Sequence, residues 1–175
     1  QDEFAIESYN KAAHATNNGL FEKEIVPISI PQRKGDSLVI KEDEEFKNVK
    51  LNKIPKLKAV FSQDGTVTAA NASSLNDGAS ALIIMSEEKA KELNIKPLAR
   101  VVSYADASQE AKWFTTSPTI AINKALSKAN ILAKDVDYWE LNEAFSVVGI
   151  VNTQLLKIDP KKVDINGGAV ALGHP

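Results

Sequence analysis

The sequence predicts a layered α/β fold, and three features of the chain support this. From residue 98 onward, apolar strand-like runs alternate with helical segments, which is the order typical of βαβ units. The segment at 143–157 is apolar on nearly every side, as expected of a helix packed between two layers. The composition, 43% hydrophobic and 25% charged, is that of an ordered globular protein. We therefore expect a layered protein larger than these 175 residues.

The chain begins with a predicted amphipathic helix followed by two short extended runs. Apolar residues such as Tyr9 recur at near-helical spacing over residues 2–18, and Gly19 supplies a stop signal. The apolar runs at 25–30 and 38–40 are accompanied by prolines and a glycine. Because proline cannot donate to a sheet ladder, these runs suit edge strands or extended loops.

A charged stretch separates this region from the predicted start of a core. Residues 41–58 carry interleaved charges and a proline, and we expect them to form a surface excursion. The small and β-branched residues at 66–70 lead to the apolar run at 79–85, which predicts a buried strand. Ser86 is predicted to cap a short helix that ends near Leu93.

The remaining residues alternate between predicted strands and helices. Ser117 followed by Pro118 marks a helix start, because proline suits the first helical position. The predicted order is strand 98–103, helix 118–130, strand 137–141, helix 143–157 and strand 162–165. A domain boundary is expected near residues 87–97.

Composition also excludes several function classes. The net charge is −2 and the lysines are interleaved with acids, so no basic stripe is available for nucleic acid. No apolar run approaches the roughly 20 residues that a membrane span needs. The sequence contains no cysteine, which excludes thiol nucleophiles and thiolate metal sites within these residues. Motifs for nucleotide redox cofactors and for zinc are absent as well.

Asn142 is the first candidate for chemistry, because it follows a predicted strand and begins the predicted buried helix. Its amide could hydrogen-bond a water or an oxyanion at the positive end of that helix. Taken alone, Asn142 is more simply interpreted as a helix N-cap.

Two further stretches are candidates for ligand contact. In the glycine-rich stretch 166–175, His174 could carry a proton or donate to developing negative charge. The alternative is a plain turn. The small residues at 69–78, with Ser73 among them, could admit a long thin ligand or a cation, although the residues alone slightly favour tight packing with turns. The other histidine, His14, is interpreted as a surface or packing residue.

Taken together, three motifs resemble those of the thiolase family. They are residues 65–78, Asn142-Glu143-Ala144-Phe145, and residues 166–175. The resemblance implies the five-layered αβαβα thiolase fold, in which two similar α/β halves stack their central helices and a loop domain receives coenzyme A. It makes this chain an internal piece, with 1–58 in the loop domain, 59–92 at the end of the N-terminal half and 93–175 at the start of the C-terminal half.

The resemblance implies an acyltransferase that condenses two acetyl-CoA to acetoacetyl-CoA and runs the reverse thiolysis. His174 matches the histidine that activates the nucleophile and helps to bind the thioester oxygen. Asn142 matches the asparagine that holds a water in the same oxyanion site. Both catalytic cysteines of the family would lie outside these residues, so we expect the 175-residue chain alone to be inactive.

The resemblance also assigns ligand contacts. Coenzyme A, as substrate and product, would be bound by Tyr9, Asn48, Val49, Lys50, Lys53, Ser73, Ala144 and Phe145. A potassium ion would be held by Tyr9, Ala69, Ala70, Ala72 and Val170. Asn48 departs from the basic residue that stands at this position in some relatives.

Two other functions remain open at this point. One is a broader 3-ketoacyl-CoA thiolase of fatty-acid oxidation, and the other is a homologue that binds acyl-CoA without chemistry. The resemblance further suggests a homotetramer and a mitochondrial location, with the cytoplasm as the alternative.

Overall fold

The fold is described from a computed structural model that covers residues 1–175. The first half of the chain contains a long helix, a small hairpin and three short helices. In chain order these are α1 (Asp2–Asn17), β1 (Ile28–Ile30), β2 (Leu38–Ile40), α2 (Glu45–Asn48), a 3₁₀ helix (Leu51–Lys56) and α3 (Glu87–Glu92). β1 and β2 pair antiparallel, with Ser29 opposite Val39.

The second half is mainly helical. Its elements are a 3₁₀ helix (Ala111–Thr116), α4 (Ser117–Ala129), a 3₁₀ helix (Ala133–Asp135), α5 (Ser146–Leu156), a 3₁₀ helix (Pro160–Lys162) and α6 (Ala169–Leu172). No helix is long and apolar enough to cross a bilayer.

The first hydrophobic cluster forms around α1. This helix buries small residues, including Ala5 and Ala12, on one face, so other segments approach its backbone closely. Tyr9 lies on the same face and is 3% exposed. The cluster consists of Ala5, Tyr9, Ala12, Phe46, Ile54, Ala70, Val170 and Ala171. α1 therefore packs directly against the glycine-rich stretch that contains His174.

The second cluster lies beneath α4 and α5. It consists of Trp139, Leu141, Leu156, Ile158 and Val163. Ile122 and Leu126 of α4 pack against it, as the helical spacing predicts. Asn152 fixes α5 to α4 because its side chain is fully buried, accepts from the Thr119 backbone N–H at 2.9 Å and donates to the Thr115 carbonyl at 2.8 Å.

Several local predictions are confirmed. α1, α3 and α4 lie within one or two residues of their predicted bounds. Ser86 caps α3, where its hydroxyl accepts a hydrogen bond from the Lys89 backbone N–H at 3.2 Å. These elements are specified by signals inside the segment itself, namely caps, stop residues and helical spacing.

Two strand predictions are wrong. Residues 79–85 and 98–103 form no ladder with any other segment. They are also not buried: Leu82 is 86% exposed and Val101 is 72% exposed. A β-strand requires a neighbouring strand to accept and donate its backbone hydrogen bonds, and no segment of this chain lies in that position.

The last two predicted strands form only in part. Trp139 and Val163 make one parallel pair, in which the Trp139 N–H donates to the Lys162 carbonyl at 2.8 Å and the Asp164 N–H donates to the Trp139 carbonyl at 2.8 Å. The pairing direction is that of a βαβ unit. The contact ends after this single pair because Asp164 turns into a left-handed conformation with φ of +43°.

Two further expectations need correction. Residues 41–58 are not only a surface excursion, because Phe46 and Ile54 reach the first cluster. The helix predicted at 143–157 begins at Ser146, since the preceding backbone groups bond elsewhere. The Ala144 carbonyl accepts from both the N–H and the hydroxyl of Ser73, each at 3.0 Å. That contact holds residues 142–145 out of the helix.

Candidate functional site

The structure brings the three sequence motifs to one place. Ala72 pairs antiparallel with Phe145, and Leu75 pairs in parallel with His174. The His174 N–H donates to the Ser74 carbonyl at 2.9 Å. The segment at 71–75 thus lies between residues 142–145, called here the Asn142 segment, and the end of the glycine-rich stretch. It is joined to both by backbone hydrogen bonds.

Asn142 and His174 face each other at this junction. The distance from Asn142 Nδ2 to His174 Nε2 is 3.1 Å. If the amide donates, His174 accepts through Nε2 and carries its proton on Nδ1; with the proton on Nε2, both side chains present an N–H donor at the junction. Asn142 is exposed and His174 is half-buried, so a ligand at the surface can contact both side chains. Two polar groups so placed are suited to bind an oxygen that gains negative charge.

The environment of Asn142 differs from the predicted one. α5 begins at Ser146, so Asn142 is not its N-cap, and the prediction that the amide sits at the positive helix end is wrong. The Ala144 N–H instead donates to the Asn142 carbonyl at 2.9 Å in a tight turn. That turn directs the Asn142 side chain away from the helix and towards His174.

Gly173 is required for the approach of His174. Its φ is +92°, a conformation that residues with side chains rarely adopt. A Cβ at this position would also meet Asn76 Oδ1 at 2.3 Å. The glycine therefore allows the chain to turn sharply between α6 and the site.

The residues assigned to coenzyme A fall into two groups. Ser73, Ala144 and Phe145 lie directly beside Asn142. The ring of Phe145 is flanked edge-on by Phe61 and Phe114, with centroids 6.0 and 6.1 Å away. These aromatic side chains give the junction an apolar border.

The second group lies at the end of α2, in the two-residue connection that follows and in the next 3₁₀ helix. Lys50, Lys53 and Asn48 are exposed and Val49 is half-buried. Neither lysine forms an ion pair within the chain. Their ammonium groups are thus available to an anionic ligand, but no hydrogen bond connects them to the Asn142 and His174 group.

The residues assigned to a cation centre on Tyr9. Tyr9, Ala70 and Val170 belong to the first cluster, while Ala72 is half-buried and Ala69 is exposed. Burial raises the pKa of the Tyr9 phenol to about 12, and the charges of Glu45 and Glu143 act in the same direction. The phenol therefore stays neutral, and its oxygen lies in a region of negative potential. No cluster of histidine and carboxylate ligands suited to a metal ion is present.

A groove opens on the other side of Asn142. Its volume is about 390 Å³, and it is lined mainly by apolar side chains: Phe114, Pro118, Ala121, Ile122, Glu140, Leu141, Asn142, Ala144 and Val148. Asn142 thus lines this groove and also contacts His174.

Two buried carboxyl groups beneath the site were not found by sequence reasoning. Glu143 is 1% exposed and Asp164 is 2% exposed. Burial raises the pKa of Glu143, and burial together with the charge of Glu143 raises that of Asp164 to about 8. No donor reaches Asp164 Oδ2, whereas Oδ1 accepts from the Leu141 N–H at 2.7 Å. A proton on Asp164 at neutral pH follows from this arrangement.

The sequence carried one signal of this pair. Glu143 is an acid between Leu141 and the apolar residues of α5, a position where an exposed charge is not expected. The position of Asp164 beside it depends on the turn after Val163, which no local pattern specifies.

D164N is expected to change how stability depends on pH. The folded protein retains the Asp164 proton up to about pH 8, whereas the unfolded chain releases it near the ordinary value of 3.8. Asp164 therefore lowers the free energy of unfolding as the pH rises between these values. Asparagine keeps an oxygen for the Leu141 N–H and adds an amide donor towards Glu143. The thermal midpoint of D164N should gain on that of the unsubstituted protein from about pH 5 to about pH 8.

D135N is the matched control for this measurement, because Asp135 is an exposed aspartate in a 3₁₀ helix. It should show no comparable gain. A midpoint difference for D164N that is the same at both pH values would show that Asp164 is charged throughout.

Comparison with known families gives matches along nearly the whole chain. The family model described as "Thiolase, N-terminal domain" matches residues 1–88. The one described as "Thiolase, C-terminal domain" matches residues 95–175. Of the three motifs, residues 65–78 fall within the first range, and residues 142–145 and 166–175 fall within the second.

Individual proteins are similar over the same length. The chain is 54% identical to an acetyl-CoA acetyltransferase of Schizosaccharomyces pombe over 176 aligned positions, which cover 100% of this chain and 45% of that protein. It is 53% identical to a mitochondrial acetyl-CoA acetyltransferase of Danio rerio, covering 100% of this chain and 42% of the relative. The chain thus spans less than half the length of the curated relatives it matches.

A solved structure extends the likeness to the fold. The crystal structure of the Acat5 thiolase from Ascaris suum in complex with coenzyme A matches with a TM-score of 0.92 and 46% sequence identity. The match covers 99% of this chain and 44% of that one. The predicted partial thiolase-type α/β fold is confirmed by this likeness.

Proposed function

The chain belongs to the thiolase family, and from this premise we propose that the complete protein condenses two acetyl-CoA molecules to acetoacetyl-CoA and runs the reverse thiolysis. The observation that carries the proposal is the approach of Asn142 Nδ2 to His174 Nε2 at 3.1 Å. The names of relatives at 53% and 54% identity support the same reaction.

The proposed reaction has two transfers through a covalent acyl-cysteine. A cysteine thiolate supplied by residues outside this chain attacks the thioester carbonyl of acetyl-CoA, and coenzyme A leaves as the thiol after it takes a proton. A second acetyl-CoA then loses an α-proton to a base. Its carbanion attacks the acetyl-cysteine carbonyl, and the cysteine sulfur leaves as acetoacetyl-CoA forms.

His174 and Asn142 act on the charge that develops in these steps. Each addition to a carbonyl, and the enolate form of the second acetyl-CoA, places negative charge on oxygen. A donor fixed at that oxygen stabilises the charge without reorganisation. His174 is held in place by its N–H bond to the Ser74 carbonyl, and Asn142 by the turn to Ala144.

Coenzyme A binding is assigned to the two groups of residues described above. Ser73, Ala144 and Phe145 would contact the pantetheine beside the reacting atoms, where Ser73 is fixed by its hydroxyl bond to the Ala144 carbonyl at 3.0 Å. The free ammonium groups of Lys50 and Lys53, with Asn48 and Val49 beside them, suit the adenosine phosphates. Tyr9, which is buried beneath the site, is the remaining residue assigned to coenzyme A binding.

A potassium ion fits the chemistry around Tyr9. A neutral phenol oxygen and backbone carbonyls of Ala69, Ala70, Ala72 and Val170 are hard ligands of the kind that a large cation accepts. The charges of Glu45 and Glu143 nearby favour a cation at this position. The ion would supply a fixed positive charge that stiffens the segment leading to Ser73.

Replacing potassium by sodium is expected to lower activity or coenzyme A affinity about fivefold. The smaller ion fits a cage of backbone carbonyls less well. Y9F should abolish most of this difference, because it removes the phenol oxygen. Y104F is the matched control, since Tyr104 is 77% exposed. Equal rates and equal coenzyme A affinities in the two salts would remove the cation from the proposal.

The wider assignment follows the same family pattern. We place residues 1–58 in a loop domain, 59–92 at the end of the N-terminal half and 93–175 at the start of the C-terminal half. A mitochondrial location is supported by the name of the Danio rerio relative. A homotetramer is our proposal for the complete protein.

Chain-length preference tests the proposed substrate. The complete protein should cleave acetoacetyl-CoA faster than 3-ketoacyl-CoA substrates with long acyl chains. A preference for the long substrates would instead identify a thiolase of fatty-acid oxidation. If no cysteine of the complete protein reacts with a thiol reagent, the protein would be a homologue that binds acyl-CoA without catalysing acyl transfer.

A further inference from the structure

Glu143 connects the elements that carry the two proposed catalytic side chains. It follows Asn142 directly in the chain, yet it is turned inward and is 1% exposed. Its Oε2 accepts a hydrogen bond from the Ser8 hydroxyl at 2.7 Å and from the Val170 N–H at 3.3 Å. One carboxyl oxygen thus joins the Asn142 segment, α1 and α6.

The glycine-rich stretch is built around this carboxyl group. The Gly168 N–H donates to the Ser8 hydroxyl at 3.1 Å, and that hydroxyl in turn donates to Glu143. A Cβ on Gly168 would meet the Glu143 carboxyl carbon at 2.4 Å. The start of α6, four residues before Gly173, is therefore seated directly on Glu143.

Asp164 fixes the other side of the same segment. Its Oδ1 accepts from the Leu141 N–H at 2.7 Å, so the residue before Asn142 is bound to the loop that leads into the glycine-rich stretch. Leu141 and Glu143 flank Asn142; Leu141 is bonded to Asp164 just before the glycine-rich stretch, and Glu143 to Val170 within it. The separation of Asn142 from His174 is consequently set by these buried bonds.

We propose that Glu143 is a positioning residue, which holds Asn142 and His174 at the spacing needed to share one oxyanion. The inference rests on the proposed thiolase function, and it concerns the same site. Glu143 itself does not reach the site surface and touches no reacting atom. It acts through the Asn142 turn on one side and the glycine-rich stretch on the other.

A purely structural role is the competing explanation, and the chain contains a matched control for it. Asn152 is also fully buried and also joins several elements, since it binds Thr119 and Thr115 from α5. It makes no contact with Asn142 or His174. Loss of either residue should lower thermal stability, but only loss of Glu143 should move the catalytic pair.

The test is the thiolysis of acetoacetyl-CoA by the complete protein and its variants. E143A should lower kcat about 10- to 100-fold, because small displacements of catalytic groups have effects of this size. KM should stay within about threefold, since the Glu143 side chain itself is buried away from the substrate. E143Q should restore kcat to within about threefold, because its amide oxygen still accepts from Ser8 and Val170. N152A should keep the kcat of the unsubstituted protein.

S8A provides a milder perturbation if E143A does not fold. It removes one donor to Glu143 and the acceptor for the Gly168 N–H, and it should lower kcat about threefold or more at constant KM. An unchanged kcat in E143A or S8A, or an equal loss of kcat in N152A, would overturn the positioning role. An unsubstituted protein without thiolysis would instead overturn the proposed function.

Discussion

H174A in the complete protein is expected to lower kcat for acetoacetyl-CoA thiolysis about 100- to 1000-fold, the usual effect of losing one oxyanion donor. His174 lies at the surface junction with its Nε2 3.1 Å from Asn142 Nδ2. Apart from this contact with Asn142, the imidazole makes no hydrogen bond to the chain. The backbone at this position is fixed separately, by the His174 N–H bond to the Ser74 carbonyl. Coenzyme A affinity should therefore change far less than turnover.

H14A is the matched control, because His14 and His174 are the only histidines of the chain. His14 is exposed on α1, where its side chain faces Asn18. Its removal should leave both kcat and coenzyme A affinity unchanged. A loss in H174A that is equal in turnover and in coenzyme A affinity would count against a catalytic role, since it would indicate a general disturbance of the site and not the loss of a contact made only in the transition state.

The 175-residue chain alone is expected to show no acyl transfer. It contains no cysteine, and the proposed reaction proceeds through an acyl-cysteine. Loss of a catalytic nucleophile lowers kcat by roughly a millionfold in the best-studied cases. Release of coenzyme A from acetyl-CoA should therefore not rise above the rate in buffer.

A thiol reagent provides the control for the expected inactivity of the 175-residue chain. The complete protein should lose activity after its cysteines are alkylated. The 175-residue chain, which has no cysteine, should gain no mass from the reagent. Turnover by the purified chain above the buffer rate would contradict the acyl-cysteine route. The chemistry would then have to reside in side chains such as His174 alone.

The helices could be predicted from the sequence because their signals are local. Ser86 caps α3, and the spacing of apolar residues places α4 within one residue of its bounds. The runs at 79–85 and 98–103 have strand-like composition, but a ladder depends on a neighbour that composition does not reveal. Both runs are exposed because no other segment of the chain pairs with them.

The site was predictable where a motif carried it. Asn142 and His174 were singled out from their flanking residues, and the structure places them in contact. The start of α5 was predicted too early, because the bonds from Ser73 to the Ala144 carbonyl are made 71 positions apart in the chain. Glu143 and Asp164 were missed, since their pairing depends on the same kind of long-range packing.

The most direct measurement is the coenzyme A-dependent cleavage of acetoacetyl-CoA by the complete protein, with and without the H174A substitution. The unsubstituted protein should form two acetyl-CoA per acetoacetyl-CoA consumed, and H174A should do so at a small fraction of this rate while still binding coenzyme A. Absence of cleavage in the unsubstituted protein, or full cleavage by H174A, would contradict it.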